Sequence, residues 1–238
     1  MKKKLLAIGA LIIVVLSGIV VLSVVETNCE AKLIRVACIG DSITEGSGYP
    51  SKLQQLLGSD YTVANFGVSG STASAGSIKP YIDQAEFQQA IDYHPDIIVI
   101  MLGTNDANSD ISQNETSFET DYSQIIAGFE NLEGRQLIWI VKSPPIFTDN
   151  PSYNNTYLEK TVLPHIDSLA AEMNLPTIDL YSAFGNQSDY FMDGVHPNKE
   201  GATLIASNVY DAITLPDGSP DTSLFNDGYS GENWWVGF

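Results

Sequence analysis

Five short apolar runs recur along the chain with longer segments of helical period between them. These are Leu33–Ile39, Tyr61–Phe66, Asp96–Leu102, Gln136–Lys142 and Thr177–Leu180. They are rich in Val and Ile and lack strict polar alternation, the pattern of strands covered on both faces. The segments between and after them predict helices near Tyr49–Leu57, Lys79–Tyr93, Glu115–Asn131, Tyr157–Met173 and Lys199–Ile213. Repeated strand–helix units leave few options. Each crossover returns the chain in the same direction, so the expected body is a parallel sheet sandwiched by helices.

Such a sheet gathers ligands beyond the carboxyl ends of its strands. Four short blocks fall there: Gly40-Asp41-Ser42-Ile43-Thr44-Glu45-Gly46, Asn65-Phe66-Gly67-Val68-Ser69-Gly70, Gly103-Thr104-Asn105-Asp106 and Asp193-Gly194-Val195-His196-Pro197-Asn198. Ser42 is the candidate nucleophile. A serine hydroxyl is weak by itself and needs an adjacent base. Of the three histidines, His94 precedes the third run at the wrong end of the sheet, and His165 lies within a helix with no catalytic company. His196 alone sits on a strand-to-helix loop with a carboxylate, Asp193, three residues earlier. That carboxylate can fix the ring tautomer and offset imidazolium charge. Donors for a developing oxyanion are the N–H of Ser42, the N–H of Gly70 and the side-chain amide of Asn105, with Gly67 as the alternative glycine. Ser42 also suits a helix cap, and Asn105 a local turn. The set describes acyl transfer through a serine.

The blocks and their order resemble the SGNH hydrolases, the GDSL-like esterase family. GDSITEG, GTND and DGVHPN match that family's pattern closely; NFGVSG matches it loosely. The resemblance spans about residues 33–213. It implies a three-layer α/β/α sandwich of flavodoxin-like type, its five-stranded parallel sheet in the order 2-1-3-4-5. It also implies a triad of Ser42, Asp193 and His196, an oxyanion hole from Ser42, Gly70 and Asn105, and no cofactor or metal. The GDSIT and DGVHPN forms look most like the family's carbohydrate acetylesterases. Independently, no G-x-S-x-G elbow occurs, which argues against an ordinary α/β-hydrolase.

Other classes use the same residues less well. A metal-dependent phosphoesterase would recruit Asp41, Asp106, Asp193 and His196, but such two-metal sites draw on several histidines. Gly46-Ser47-Gly48 starts too late after its strand for a dinucleotide loop. A non-catalytic binding module would not need every triad member. Within esterases, the small polar segments 69–76 and 106–110 favour a short acyl group, above all acetyl, on a carbohydrate. The alternative is a lysophospholipase or short-chain lipid esterase.

The formal charge of −18 becomes −19 once residues 1–31, with three Lys and two Glu, are set aside. An acidic surface of this kind disfavours nucleic acid and anionic lipid as partners. Lys2, Lys3 and Lys4 precede an uncharged stretch from Leu5 to Val25. Such a leader directs export, either as a cleaved signal peptide or as a membrane signal-anchor, placing the enzyme outside the cell or at its surface. Residues 1–31 are therefore assigned to the leader, 32–214 to the catalytic domain and 215–238 to an acidic Gly/Pro/Asp-rich extension with an aromatic end. Of the two cysteines, Cys29 falls in the stem and Cys38 in the first core strand, so both are read as free.

Overall fold

A computed structural model of the chain describes residues 11–16, 19–24, 33–111, 117–130, 132 and 136–214. The chain forms two bodies. The first is an antiparallel ribbon of β1 (Leu11–Leu16) and β2 (Ile19–Val24), in which Leu11 pairs with Val24 and Leu16 with Ile19. The apolar run expected to act as leader is thus extended where it is described, in keeping with its β-branched Ile and Val. No helix among the described residues is long and apolar enough to cross a membrane. Residues 25–32, including Cys29, and the 215–238 extension lie outside the described residues.

The second body is built on five parallel strands: β3 (Ile34–Gly40), β4 (Tyr61–Gly67), β5 (Ile97–Met101), β6 (Leu137–Lys142) and β7 (Thr177–Asp179). Their spatial order, β4-β3-β5-β6-β7, is 2-1-3-4-5 when counted within the sheet, as expected. Ile39 of β3 lies between Phe66 of β4 and Ile100 of β5.

Alternation along each strand sends side chains to two separate cores. Ala37, Ile39, Ile98, Ile100, Ile138 and Ile140 face one side. There they meet α3 (Ala85–Asp92), α4 (Phe118–Glu130) and α6 (Leu163–Glu172). Val36, Cys38, Ile97, Val99, Trp139 and Val141 face the other. That side is covered by α1 (Ser42–Gly46), α2 (Tyr49–Leu57), α7 (Leu180–Phe184) and α8 (Lys199–Ile213). In α8, Ala202, Ile205, Ala206, Val209 and Ile213 recur at helical spacing and form its buried stripe. All five residues of β5 are buried, so this strand has no solvent face. Cys38 is a free, buried thiol, and burial pushes its pKa up to about 12.

Two expected helices differ from their sequence reading. The helix expected from Lys79 begins at Ala85: Pro80 is itself extended and bridges Thr72 in parallel, and a short 3-10 turn, Tyr81–Asp83, precedes the helix. The helix expected over 157–173 is interrupted. A single turn, α5 (Asn155–Tyr157), runs through a π-helical stretch at Leu158–Val162 into α6. Pro164 has no N–H to give the carbonyl four residues back, and the widened turn accommodates that break.

Gly67 ends β4 with almost no space beside it: a Cβ there would lie 2.3 Å from the Glu45 backbone nitrogen of α1. Gly46, at the end of α1, has nothing within 4 Å of the same position. Gly67→Ala should therefore destabilise the protein by about 1–3 kcal/mol, the usual cost of overpacking. Gly46→Ala should be close to neutral. Paired thermal melts of the two variants test this.

Candidate active site

Every sequence-predicted site residue lies at the carboxyl edge of the sheet. Ser42 follows β3, Gly70 follows β4, Asn105 follows β5, and Asp193 and His196 follow β7 and α7. Ser42 is the first residue of α1, and Asp41 caps that helix by accepting the Ile43 N–H at 2.8 Å. The cap fixes the turn that presents the serine.

The Ser42 hydroxyl lies 2.9 Å from His196 Nε2, and His196 Nδ1 lies 2.7 Å from Asp193 Oδ2. The second carboxylate oxygen accepts the N–H of His196 at 2.8 Å and of Val195 at 3.0 Å. Asp193 therefore holds both the ring and the backbone of its histidine. Burial pushes the Asp193 carboxyl up, but these hydrogen bonds and the nearby imidazole outweigh it and hold the pKa below the ordinary value. The loop carrying the pair is seated on the segment after β6. Gly194 adopts φ +81°, its carbonyl accepts the Phe147 N–H at 2.7 Å, and an added Cβ would lie 2.4 Å from the Thr148 nitrogen. The Asp193 side chain is 56% exposed and the His196 side chain 34%, so the pair opens to solvent.

Asn105 is buried, and its amide donates to the Ser71 carbonyl at 3.0 Å. That bond ties the β5 loop to the turn carrying Gly70. The Tyr153 hydroxyl meets the Asn105 side-chain oxygen at 3.4 Å, so the amide's orientation is set from both ends. The N–H groups of Ser42 and Gly70 have no protein acceptor among the described residues. Gly67, the alternative donor, is committed elsewhere: its N–H donates to Asn65 Oδ1 at 2.9 Å. Asn65 in turn donates to the Thr44 and Glu45 carbonyls, binding β4 to α1.

The other two histidines stand apart from this cluster. His94 sits at the opposite edge of the sheet with φ +51°. His165 lies on α6 with Nδ1 2.8 Å from Glu119 Oε1. The small polar segments are divided: Ser69, Ala75, Gly76, Ser109 and Asp110 are exposed, whereas the residues between them turn inward. Ser71, Thr72 and Ser74 are buried, and their hydroxyls bond to Val68, to the Ser74 carbonyl and to Asp106. Asp106 accepts the N–H groups of Ala73 and Ser74 as well. These residues build the loop's interior, where a buried carboxylate needs its several donors.

Sequence reasoning gave Asp41 no role beyond the metal alternative. It is almost fully buried, and its second carboxylate oxygen has no partner. Among the described residues, no group of three or more His, Cys, Asp or Glu side chains is placed to hold a metal ion. Burial raises the Asp41 pKa to about 7; the Ile43 hydrogen bond and His196 oppose the rise, and Asp106 adds to it. A carboxyl raised in the folded state binds its proton more tightly there. Its ionisation therefore costs stability as pH climbs from the unfolded value toward 7. Asp41→Asn keeps a capping side chain and removes the charge. The variant should gain stability relative to wild type between pH 4 and pH 8, by more than about 1 kcal/mol, one pKa unit being about 1.4 kcal/mol. Urea titrations of both proteins across that range check the sign.

Comparison with known proteins identifies relatives of the chain and of its fold. Residues 38–204 match the model of the GDSL-like Lipase/Acylhydrolase family. An acetylxylan esterase of Xylanibacter ruminicola is 32% identical over 206 residues, covering 76% of this chain. The chain spans only 43% of that esterase's length. A carbohydrate acetylesterase family member from Sinorhizobium meliloti has the same fold, with a TM-score of 0.58 at 24% identity over 74% of this chain and 95% of that one. The acetyl xylan esterase AlAXEase gives a TM-score of 0.63 at 20% identity over 76% of this chain and 100% of that one.

Proposed function

The chain belongs to the GDSL-like lipase/acylhydrolase family, and on that premise we propose that it is an exported serine esterase removing short acyl groups, chiefly acetyl, from carbohydrate. The observation that carries the reading is the unbroken line Asp193–His196–Ser42, with contacts of 2.7 and 2.9 Å.

The chemistry follows from those contacts. Ser42 Oγ attacks the ester carbonyl while His196 Nε2 takes its proton. Asp193 keeps the other ring nitrogen protonated and balances the imidazolium. Negative charge on the former carbonyl oxygen is met by the N–H groups of Ser42 and Gly70 and by the Asn105 amide. His196 then protonates the departing alcohol. Water, activated by the same histidine, hydrolyses the acyl-serine and restores the enzyme. No cofactor enters any step.

Ser42→Ala and His196→Ala should each reduce kcat by several orders of magnitude, and the double variant should be scarcely worse than either, because both losses disable one step. A fluorophosphonate probe should label the wild type at Ser42. Labelling of Ser42→Ala at the wild-type level would overturn the assignment.

Export is supported by Lys2, Lys3 and Lys4 ahead of the uncharged run Leu5–Val25. For the substrate, support comes from the acetylxylan esterase relative and from the open, polar setting of the triad. A second reading, a lysophospholipase or short-chain lipid esterase, has one observation in its favour: Met192, the residue before Asp193, is 70% exposed and leaves an apolar side chain open to solvent. Acyl length separates the two, since each buried CH₂ contributes about 0.8 kcal/mol. For acetyl, butyryl, octanoyl and palmitoyl p-nitrophenyl esters, kcat/KM should be greatest with acetyl and fall as the chain lengthens. A maximum at octanoyl or beyond would promote the lipid esterase, whereas turnover of acetylated xylan would support the carbohydrate reading.

A further inference from the structure

The Ser69–Gly70 peptide is the central unit of a tight turn. The Ser71 N–H donates to the Val68 carbonyl at 3.1 Å, closing four residues. Gly70 has φ +78°, and the only non-glycine residues with positive φ among those described are His94 and Asn174. Negative φ at Ser69 with positive φ at Gly70 defines a type II turn. Type I and type II turns differ in the orientation of this one central peptide. Reversing it exchanges the directions of the Ser69 carbonyl and the Gly70 N–H, because the two lie antiparallel across a planar trans unit. The type I form would therefore offer an oxygen wherever the type II form offers a donor.

Glycine permits both forms, so something else must select one. Lys79 Nζ donates to the Ser69 carbonyl at 2.8 Å. The lysine stem passes beside the turn, its Cδ 3.9 Å from the position a Gly70 Cβ would occupy. Its own backbone is pinned: the Thr72 N–H donates to the Lys79 carbonyl at 3.2 Å, and the Lys79 N–H donates to Ser77 Oγ at 3.2 Å. On the other side, Glu45 of α1 accepts the Ser69 N–H at 2.8 Å and also takes the Ser69 hydroxyl. The peptide is thus gripped by a cation on its carbonyl, while the residue before it is tied to the helix that carries Ser42.

We infer that Lys79 is a positioning residue for ester hydrolysis: by holding the Ser69 carbonyl it locks the turn in its type II form and keeps the Gly70 N–H directed at the oxyanion. A charged donor makes a stronger and shorter hydrogen bond than a neutral one, which suits a lock on a peptide otherwise free to flip. The inference rests on the proposed serine esterase reading, with Gly70 as an oxyanion donor.

The test is steady-state kinetics of Lys79→Met, Lys79→Arg and Ser42→Ala on p-nitrophenyl acetate, with thermal melts of each. Lys79→Met should lower kcat about 10-fold with KM within about twofold, a smaller loss than the ~10²–10³ for deleting an oxyanion donor outright. Its melting temperature should stay within about 2 °C of wild type, as for other surface substitutions. Lys79→Arg retains a charged donor and should restore most of the lost turnover. Normal kcat in Lys79→Met would overturn the inference, as would a raised KM at unchanged kcat, which would mark Lys79 as a substrate contact. Equal impairment of the Arg and Met variants would overturn it too. If Ser42→Ala is inactive while Lys79→Met is normal, only the lock fails. If Ser42→Ala remains active, the serine reading fails and the lock with it.

Discussion

The sheet leaves polar chemistry only one place to go. Each strand at its centre is buried on both faces, and β5 has no solvent-facing residue at all. A functional group within these strands would have to lose its hydration without compensation. Parallel direction adds the second constraint, because all five carboxyl ends lie along one edge. Ser42, Gly70, Asn105 and the Asp193–His196 pair, spread over more than 150 residues of sequence, are brought to that edge by topology. The two cores that clamp the sheet thus decide where the site stands before any polar contact forms.

At the edge, two kinds of support hold the candidate groups. The histidine arm is rigid through backbone: Asp193 takes two main-chain N–H groups as well as the ring, and Gly194 brings the arm within contact of residues 147–148. The Asn105 side is held through a buried polar network. Asp106 draws Ala73 and Ser74 inward, Asn105 bonds Ser71, and the turn carrying Gly70 is thereby drawn toward β5. Asp106 is itself raised in pKa, chiefly by burial and against the pull of its donors. Burial also raises Asp41, and the nearby Asp106 adds to that rise, so this is a costly place to carry charge.

Much of this was legible in the chain. The Val/Ile runs marked all five core strands to within a residue or so, and the block order placed Ser42, Asn105 and His196 on one edge. What the sequence could not convey was long-range partnership. Segment 69–76 reads as small and polar, suited to bonding a hydroxylated substrate, yet Ser71, Thr72 and Ser74 are buried and spend their hydroxyls on Asp106 and neighbouring carbonyls. Periodicity carried the expected helix back to Lys79, although the extended Pro80 with its bridge to Thr72 and the 3-10 turn at Tyr81–Asp83 delay the helix to Ala85. Pro164 did carry a visible signal of an irregular helix start. A window of hydrophobic spacing passes over such a break, because the apolar residues resume their period beyond it.

The same distinction explains why glycines repay individual reading. Gly67 and Gly70 sit three residues apart in one block, and from sequence either is a plausible donor. Their surroundings differ in kind. Gly67 is small because α1 leaves no room for a Cβ, and its N–H is consumed by Asn65. Gly70 has space beside it but a backbone angle that L-residues avoid, and its N–H is left without a protein partner among the described residues. One glycine therefore serves close packing and the other serves conformation. Only the second arrangement leaves a donor available to an incoming oxygen. The first brings α1 close enough for Glu45 to reach Ser69, so the packing glycine helps to hold the turn in which the conformational one sits.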